Sequence, residues 1–163
     1  MIVYHGGTEV ITQPLVSIGR SQLDFGQGFY LTDLMEQAKT WAIRVALHRH
    51  TPALVNQYIL DIDRVRHNYR YQKFHEYDRQ WLEFIVDNRR GGDSWQNYDL
   101  IEGGVADDRV IDTVELYMGN YLSEEEAIKR LIHLAPNNQL CITNQEIISE
   151  CLQYVDCITI END

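Results

Sequence analysis

The stretch DFGQGFYLTD, residues 24–33, holds two glycines, three aromatic residues and a strand-like run within ten positions. Residues 24–28 are rich in glycine and polar residues, which is typical of a loop. Residues 29–32 are aromatic, aliphatic and β-branched, a composition that favours a β-strand. Asp33, followed three residues later by Glu36, resembles the polar start of a helix. The stretch therefore predicts a loop, a strand and a helix in succession, with glycines where the backbone turns sharply or another group comes close.

The rest of the chain predicts further short strands and helices in irregular order, which favours an α+β fold over a doubly wound parallel sheet. The predicted strands are residues 1–4, 28–32, 54–62, 98–104, 138–142 and 154–160, and the predicted helices are 33–48, 73–89, 107–118, 123–133 and 144–153. No repeat, low-complexity tract or linker divides the sequence, so we expect one domain over residues 1–163.

Two local patterns refine these helices. Helical spacing in the first one predicts a buried stripe made of Leu34, Ala38, Trp41, Ala42 and Val45. Ser123 with Glu126, and Thr143 with Glu146, have the spacing of capping boxes for the last two helices.

Composition limits the classes of function. The 163 residues carry a net charge of −11, which argues against general affinity for nucleic acid. Three cysteines are too few for a disulfide scaffold and fit a reducing compartment, so we expect a cytoplasmic protein. The N-terminal MIVYHGG has no signal-peptide pattern, and no apolar run approaches the roughly 18 residues of a membrane helix. The histidines show no paired spacing that would indicate a metal site.

Four places combine polar, aromatic and glycine residues: YHGG at 4–7, GQGFYLTD at 26–33, Trp41, and NNQLCI at 137–142. Each is weak alone. His5 and Gly6 also fit a strand that closes into a glycine turn, and GQGFY lacks the spacing of a dinucleotide fingerprint. Their order along the chain is the stronger signal.

In that order the segments resemble the ADP-ribosyltransferase superfamily, nearest the diphtheria-toxin and PARP branch with its His–Tyr–Glu signature. YHGG, DFGQGFYLT, QAKTWA and QLCITN are similar to a bacterial family known as domain of unknown function 3990. The similarity runs to about residue 152, although residues 49–97 match only in element order. It implies a split β-sandwich with flanking helices, an NAD cleft between its sheets, and mono-ADP-ribosyl transfer with NAD as co-substrate.

The resemblance also implies roles for individual residues. His5 matches the histidine that hydrogen-bonds the adenosine ribose of NAD, and Gly6 matches the glycine whose backbone pairs with the nicotinamide amide. Tyr30 matches the tyrosine that stacks on the nicotinamide ring, with the preceding glycines letting its loop reach the cofactor. Trp41, eleven residues later, matches a second aromatic on the other ring face. The alternative is that Trp41 is a core residue of the predicted stripe.

The chain departs from the signature at the third motif. The family has a glutamate at the head of a late strand, where this chain offers Gln139 or Asn138. We prefer Gln139, because QLCI resembles the glutamate-plus-apolar-strand pattern. A carboxylate stabilises the oxocarbenium ion that forms at the sugar, whereas a neutral amide does so less well, at a cost of about tenfold in rate. The sequence therefore predicts a slow single-transfer enzyme, or a catalytically inactive module that binds NAD or ADP-ribose, or an interaction protein with a vestigial cleft.

Two further residues are secondary candidates. Arg20 precedes the tyrosine strand and fits either a contact to the pyrophosphate of NAD or an ordinary surface position. Glu102, in YDLIEGGVADD, fits either an acid near the pocket or a buried strand end. The resemblance further implies an unknown acceptor macromolecule, and an antitoxin or regulatory protein as a partner, with no membrane partner.

Overall fold

The computed structural model describes residues 1–161, which form seven β-strands and six α-helices. The strands are β1 (Ile2–Gly7), β2 (Phe29–Leu31), β3 (Ala53–Leu60), β4 (Tyr71–Lys73), β5 (Leu100–Gly104), β6 (Asn138–Ile142) and β7 (Leu152–Ile160). The helices are α1 (Met35–Arg49), α2 (Ile62–Asn68), α3 (Arg79–Arg89), α4 (Ile111–Met118), α5 (Glu124–Leu131) and α6 (Gln145–Cys151). The α+β class is therefore confirmed. No helix within this part of the chain has both the length and the hydrophobicity to cross a membrane.

The strands form two sheets that meet at one edge. The first sheet has the order β1-β3-β7 and the second the order β2-β6-β5-β4. All neighbours are antiparallel except β4 and β5, which run parallel. Between the sheets, Tyr4 of β1 and Thr32, just after β2, exchange two backbone hydrogen bonds of 2.8 and 3.0 Å. We call this junction of β1 with β2 the seam.

The sheets face each other across an apolar layer. Its fully buried members include Val3, Tyr58 and Leu60 from the first sheet and Leu100, Leu140 and Ile142 from the second. We call these the inner faces. Because side chains alternate along a strand, the intervening residues lie on the outer faces. Helix α1 covers part of the outer face of the first sheet, and a core from α3, α4 and α5 packs on Ile101 and Cys141 of the second.

The predicted stripe on α1 is too wide. The buried residues of this helix are Ala38, Ala42 and Ala46, whereas Leu34 is 42% exposed and Trp41 is 53% exposed. Three small side chains let the helix axis approach the sheet closely, so the larger side chains at the flanks remain at the surface. The interpretation of Trp41 as a core residue is therefore wrong.

Two of the predicted helix starts are also wrong. The N-cap residue of helix α1 is Leu34, and no side chain accepts a hydrogen bond from the first turn of this helix. Asp33 is therefore not the capping residue. Thr143 donates its hydroxyl to the Tyr98 carbonyl at 2.5 Å, and Asn144 caps α6 instead. The capping box of Ser123 with Glu126 is confirmed.

Candidate functional site

The two sheets separate just beyond the seam. Continued antiparallel pairing from Tyr4 and Thr32 would place Gly6 opposite Tyr30. Instead, the side chain of His5 takes that place, with Nδ1 2.8 Å from the Tyr30 carbonyl oxygen. A carbonyl only accepts hydrogen bonds, so Nδ1 carries the proton and donates. The imidazole thus holds the strands together at the point where their backbones part.

Gly6 leaves a backbone donor and acceptor facing this gap. Tyr4 uses both its N–H and its C=O toward Thr32, on the side away from β3. Alternate residues of a strand direct their backbone groups to the same side, so the N–H and C=O of Gly6 point there too. Neither group has a hydrogen-bond partner among residues 1–161. A donor and an acceptor side by side suit the amide group of a ligand.

Gly6 also has no room for a side chain. A Cβ added there would lie 2.1 Å from the Ala38 carbonyl oxygen and 3.0 Å from the Ala42 nitrogen. Helix α1 therefore packs directly on the backbone of β1. This contact fixes the helix beside the open part of the seam.

Tyr30 lies across the gap in a fixed orientation. Its hydroxyl donates to the Gly26 carbonyl at 2.6 Å and accepts from the Phe25 N–H at 3.1 Å. Burial, and secondarily the neighbouring Cys141 sulfur, raises the pKa of Tyr30 far above its usual value, so the phenol stays neutral. The residue as a whole is partly exposed and packs against the core of α3, α4 and α5.

Contacts within the protein explain the glycines before Tyr30. Gly26 has a φ of 78°, and a Cβ there would lie 2.0 Å from the Trp95 indole. A Cβ on Gly28 would lie 2.5 Å from the Ile142 carbonyl oxygen. The loop therefore needs glycine for a left-handed turn and for close packing. The prediction that these glycines serve the approach of a cofactor is not needed to explain them.

Gln139 shares a face of the second sheet with Tyr30. Tyr30 pairs directly with Cys141, and Gln139 lies two residues before Cys141 on β6, so all three side chains project from the outer face. Gln139 is 9% exposed, and its Nε2 lies 3.5 Å from the Gly104 carbonyl oxygen. Asn138 projects from the inner face, where its Nδ2 donates to Glu102 at 2.9 Å. Of the two candidates for the third motif, only Gln139 is on the side of Tyr30.

Glu102 is committed to the inner face. It is 3% exposed, accepts hydrogen bonds from Tyr71 and Asn138, and lies 3.4 Å from the Lys73 Nζ. These partners satisfy its buried carboxylate. The structure therefore does not bring Glu102 to the side of the sheet that carries Tyr30 and Gln139.

Trp41 lies on the flank of α1 that faces the second sheet. One turn earlier, Gln37 donates from Nε2 to the Asn138 carbonyl oxygen at 3.0 Å, which shows where this flank points. Residues four apart share a helix face, so Trp41 stands on the same flank. Trp41 is 53% exposed, so its indole lies at the surface on this flank.

His5 is prepared to accept a further hydrogen bond. Burial lowers its pKa, an effect that the bond to the Tyr30 carbonyl opposes. The ring is therefore neutral, and since Nδ1 carries the proton, Nε2 is an acceptor. The imidazole stacks on Phe29 with ring centroids 4.5 Å apart, which fixes its plane.

Arg20 is not brought to the other candidates by any contact. It is exposed, and its side chain makes no hydrogen bond within residues 1–161. Its loop, however, is anchored near Tyr30, because Gln27 donates from Nε2 to the Ser17 and Gly19 carbonyl oxygens at 2.8 and 2.7 Å.

A groove lies elsewhere on the surface. It has a volume of about 1190 Å³ between the loop at 12–15 and the segments 58–63 and 148–154. None of the predicted site residues lines it. Its rim carries Asp61, Asp63 and Glu150, of which the last two form ion pairs with Arg66 and Arg64. We therefore place the candidate site at the seam, where polar and aromatic groups converge.

Sequence reasoning missed Gln37 and the pair Tyr71 and Lys73. Gln37 lies in QAKTWA. The only feature of the sequence that could have indicated a role at the site is its spacing of one helical turn from Trp41. Tyr71 and Lys73 belong to β4, a strand of three residues that is too short to show periodicity.

A family profile described as "Protein of unknown function (DUF3990)" matches residues 1–154. No curated protein and no solved structure matches the chain significantly.

Proposed function

The chain belongs to the DUF3990 family, and we propose that it is an NAD-dependent mono-ADP-ribosyltransferase with an ADP-ribosyltransferase-like split β-sandwich. The observation that carries the proposal is the open seam, where the free backbone N–H and C=O of Gly6 face Tyr30. This arrangement offers paired hydrogen bonds and an aromatic surface to one flat ring that bears an amide.

The nicotinamide group of NAD has these features. Its carboxamide has a carbonyl acceptor and an NH₂ group with two donors, so it complements the N–H and C=O of Gly6. Tyr30, held at its hydroxyl, presents its ring from the second sheet, and the exposed indole of Trp41 closes the other side. Stacking between two aromatic rings orients the leaving group.

The remaining contacts extend along the dinucleotide. The Nε2 of neutral His5 accepts a hydrogen bond from a hydroxyl of the adenosine ribose. Arg20, exposed in the anchored loop, supplies a positive charge for the pyrophosphate. In a chain of net charge −11, such a local cation is what makes binding of an anion favourable.

In the reaction the bond between ribose C1′ and the nicotinamide nitrogen breaks, and its electron pair leaves with nicotinamide. A nucleophile of the acceptor macromolecule forms the new bond to C1′ and loses its proton. Gln139 supplies a neutral oxygen near the developing positive charge, where a carboxylate would stabilise it better by about tenfold in rate. Since an amide is no general base, the acceptor or solvent takes the proton, and transfer is slow and single.

A second candidate is a catalytically inactive module that binds NAD or ADP-ribose. It is favoured by the absence of a carboxylate from the outer face at Gln139 and by the orientation of Glu102 toward the inner face. For either function we propose that the protein is located in the cytoplasm, because all three cysteines are free thiols. An antitoxin or other regulatory protein as partner remains a proposal by resemblance alone.

Incubation of the purified protein with NAD labelled in its adenylate phosphate, with and without cell lysate, tests the proposal. Release of nicotinamide, with label on a macromolecule, is the expected result. Binding without release would favour the inactive module. In parallel, NAD should quench tryptophan fluorescence in the parent protein and quench it less in Trp41→Phe, which leaves Trp81 and Trp95 as internal references. No binding at millimolar NAD would exclude both functions.

A further inference from the structure

The loop that holds Tyr30 is itself held by the end of helix α3. Residues 23–26 form a tight turn, closed by a hydrogen bond of 3.0 Å from the Gly26 N–H to the Leu23 carbonyl oxygen. Both hydrogen bonds of the Tyr30 hydroxyl go to this turn, one to the Gly26 carbonyl and one from the Phe25 N–H. The phenol and the turn are therefore coupled, and a displacement of the turn would move the ring or break these bonds.

Two neighbouring residues of α3 fix the position of the turn. Asn88 donates from Nδ2 to the Asp24 carbonyl oxygen at 2.9 Å, and Arg89 donates from Nε to the Asp24 carboxylate at 2.5 Å. Asp24 directly precedes Phe25, so both bonds act within two residues of the groups that hold the phenol. In the part of the chain that the structure describes, these are the only side-chain hydrogen bonds between α3 and the turn.

Asn88 joins the turn to a second segment as well. It is 0% exposed, and its Oδ1 accepts from the Trp95 N–H at 3.2 Å while its Nδ2 holds Asp24. The Trp95 indole in turn lies against Gly26, where a Cβ would be 2.0 Å away. Reversing the amide would bring donor against donor and acceptor against acceptor, so its orientation is fixed. One buried amide thus connects α3, the turn and the tryptophan that covers the turn.

We propose that Asn88 and Arg89 are positioning residues for Tyr30, which hold its ring where it meets nicotinamide. This inference rests on the function proposed above. Neither side chain forms a hydrogen bond to Tyr30, so both act through the turn and the phenol hydroxyl. Stacking depends on the distance and offset of the two rings, so a ring that is free to shift loses part of the attraction. ADP-ribose has no nicotinamide, so its binding should not depend on this connection.

A double-mutant cycle measured by calorimetry with NAD tests this assignment. Asn88→Leu removes both hydrogen bonds of the amide at nearly the same side-chain size. Tyr30→Phe keeps the ring but removes the hydroxyl that connects it to the turn. We expect each single variant to bind NAD about fivefold more weakly, and the double variant to be no weaker than either, because both changes break the same connection. Asn88→Leu should bind ADP-ribose like the parent.

Asn56→Leu is the matched control. Asn56 is also 0% exposed, and its amide likewise fixes a loop by two bonds of 2.9 Å, accepting from the Ile11 N–H and donating to the Glu9 carbonyl oxygen. Its loss of stability should resemble that of Asn88→Leu, since both leave buried backbone groups without a partner. The ratio of NAD affinity to ADP-ribose affinity should nevertheless stay that of the parent.

Arg89→Met provides a second variant at the turn. It removes the other bond to Asp24 from a partly exposed position, so it should fold even if Asn88→Leu does not do so by circular dichroism. It should weaken NAD binding in the parent and leave it unchanged in the Tyr30→Phe background. Binding of ADP-ribose should again be that of the parent.

The outcomes distinguish this inference from the function on which it rests. Equal weakening of NAD and ADP-ribose by the α3 variants, or additive effects in the cycle, would show a general structural role and would overturn the inference. Unchanged NAD affinity in these variants would overturn it as well, while leaving the proposed function in place. A parent protein that binds no NAD at millimolar concentration would overturn both.

Discussion

Gly6 serves packing and the candidate site at the same time. Its missing side chain admits α1, while its backbone N–H and C=O face the open seam. The sequence predicts that YHGG ends a strand near a site, and resemblance assigns Gly6 to the ligand. The helix that makes glycine necessary there is 32 residues away at Ala38, a contact that no local pattern could indicate.

We expect Gly6→Ala to destabilise the fold by about 1–3 kcal/mol, because its Cβ would lie 2.1 Å from the Ala38 carbonyl oxygen and α1 must move outward. Gly7→Ala is the matched control, since its Cβ would lie 3.6 Å from the His5 Nε2, an ordinary contact. Urea denaturation of both variants measures the difference. Equal free energies of unfolding would contradict direct packing of α1 on Gly6.

Gln139→Glu tests the third motif. The carboxylate would lie on the outer face with Tyr30, and we expect nicotinamide release to rise about tenfold through stabilisation of the oxocarbenium ion. The hydrogen bond to the Gly104 carbonyl would be lost, but that oxygen also accepts from the Trp81 Nε1 at 3.0 Å. We therefore expect the variant to fold. The rate of NAD hydrolysis by the folded variant is the measurement.

Asn138→Glu is the matched control on the opposite face. Asn138 donates to both Glu102 and Asp33, at 2.9 and 3.2 Å, so a third carboxylate there would meet two others. We expect a less stable protein and no gain in hydrolysis. A gain for Asn138→Glu and none for Gln139→Glu would show that the face carrying the reaction has been misassigned.

At the scale of elements, sequence patterns predicted most strands and helices and missed one short strand and one short helix. The six predicted strands and five predicted helices each have a counterpart, with shifted ends except for β6, whose bounds match the prediction. Helix α2 and strand β4 were missed, and the helix predicted from residue 73 begins at Arg79, where the Asp78 side chain caps it. Hydrophobic spacing on α1 placed Trp41 in one stripe with Ala38 and Ala42 and left out Ala46, because spacing alone does not distinguish the buried centre of a helix face from its exposed flank.

We expect Ser123→Ala to cost about 1 kcal/mol, because α5 would lose the side-chain acceptor of its capping box. Ser149→Ala, at an exposed position within α6, is the control and should change the free energy of unfolding little. Thermal or urea unfolding of both variants provides the measurement. A similar loss for both serines would indicate that the capping box contributes nothing beyond a general effect of removing a hydroxyl.

At the scale of the molecule, the candidate site depends on contacts between distant parts of the chain. The Asn138 carbonyl accepts from Thr32 and Gln37, more than a hundred residues earlier, and His5 reaches the Tyr30 carbonyl across the two sheets. Single-sequence patterns contain no information on such pairings. Resemblance proposed His5, Gly6, Tyr30 and Trp41 as a group. The register of the strands then distinguished Gln139 from Asn138 by face.

Amide hydrogen exchange distinguishes NAD binding at the seam from NAD binding in the groove of about 1190 Å³, because the two places would protect different segments. If NAD binds at the seam, the Gly6 N–H gains a partner, and its exchange should slow together with that of residues 25–31 and the first turns of α1. ADP-ribose, which lacks the nicotinamide amide, should protect Gly6 much less while still protecting the segment near His5. Residues 12–15 and 148–154 should exchange as before in both cases. Protection confined to those two segments would instead place the ligand in the groove, and the open edge of β1 would then be a gap in the sheet without a role in binding.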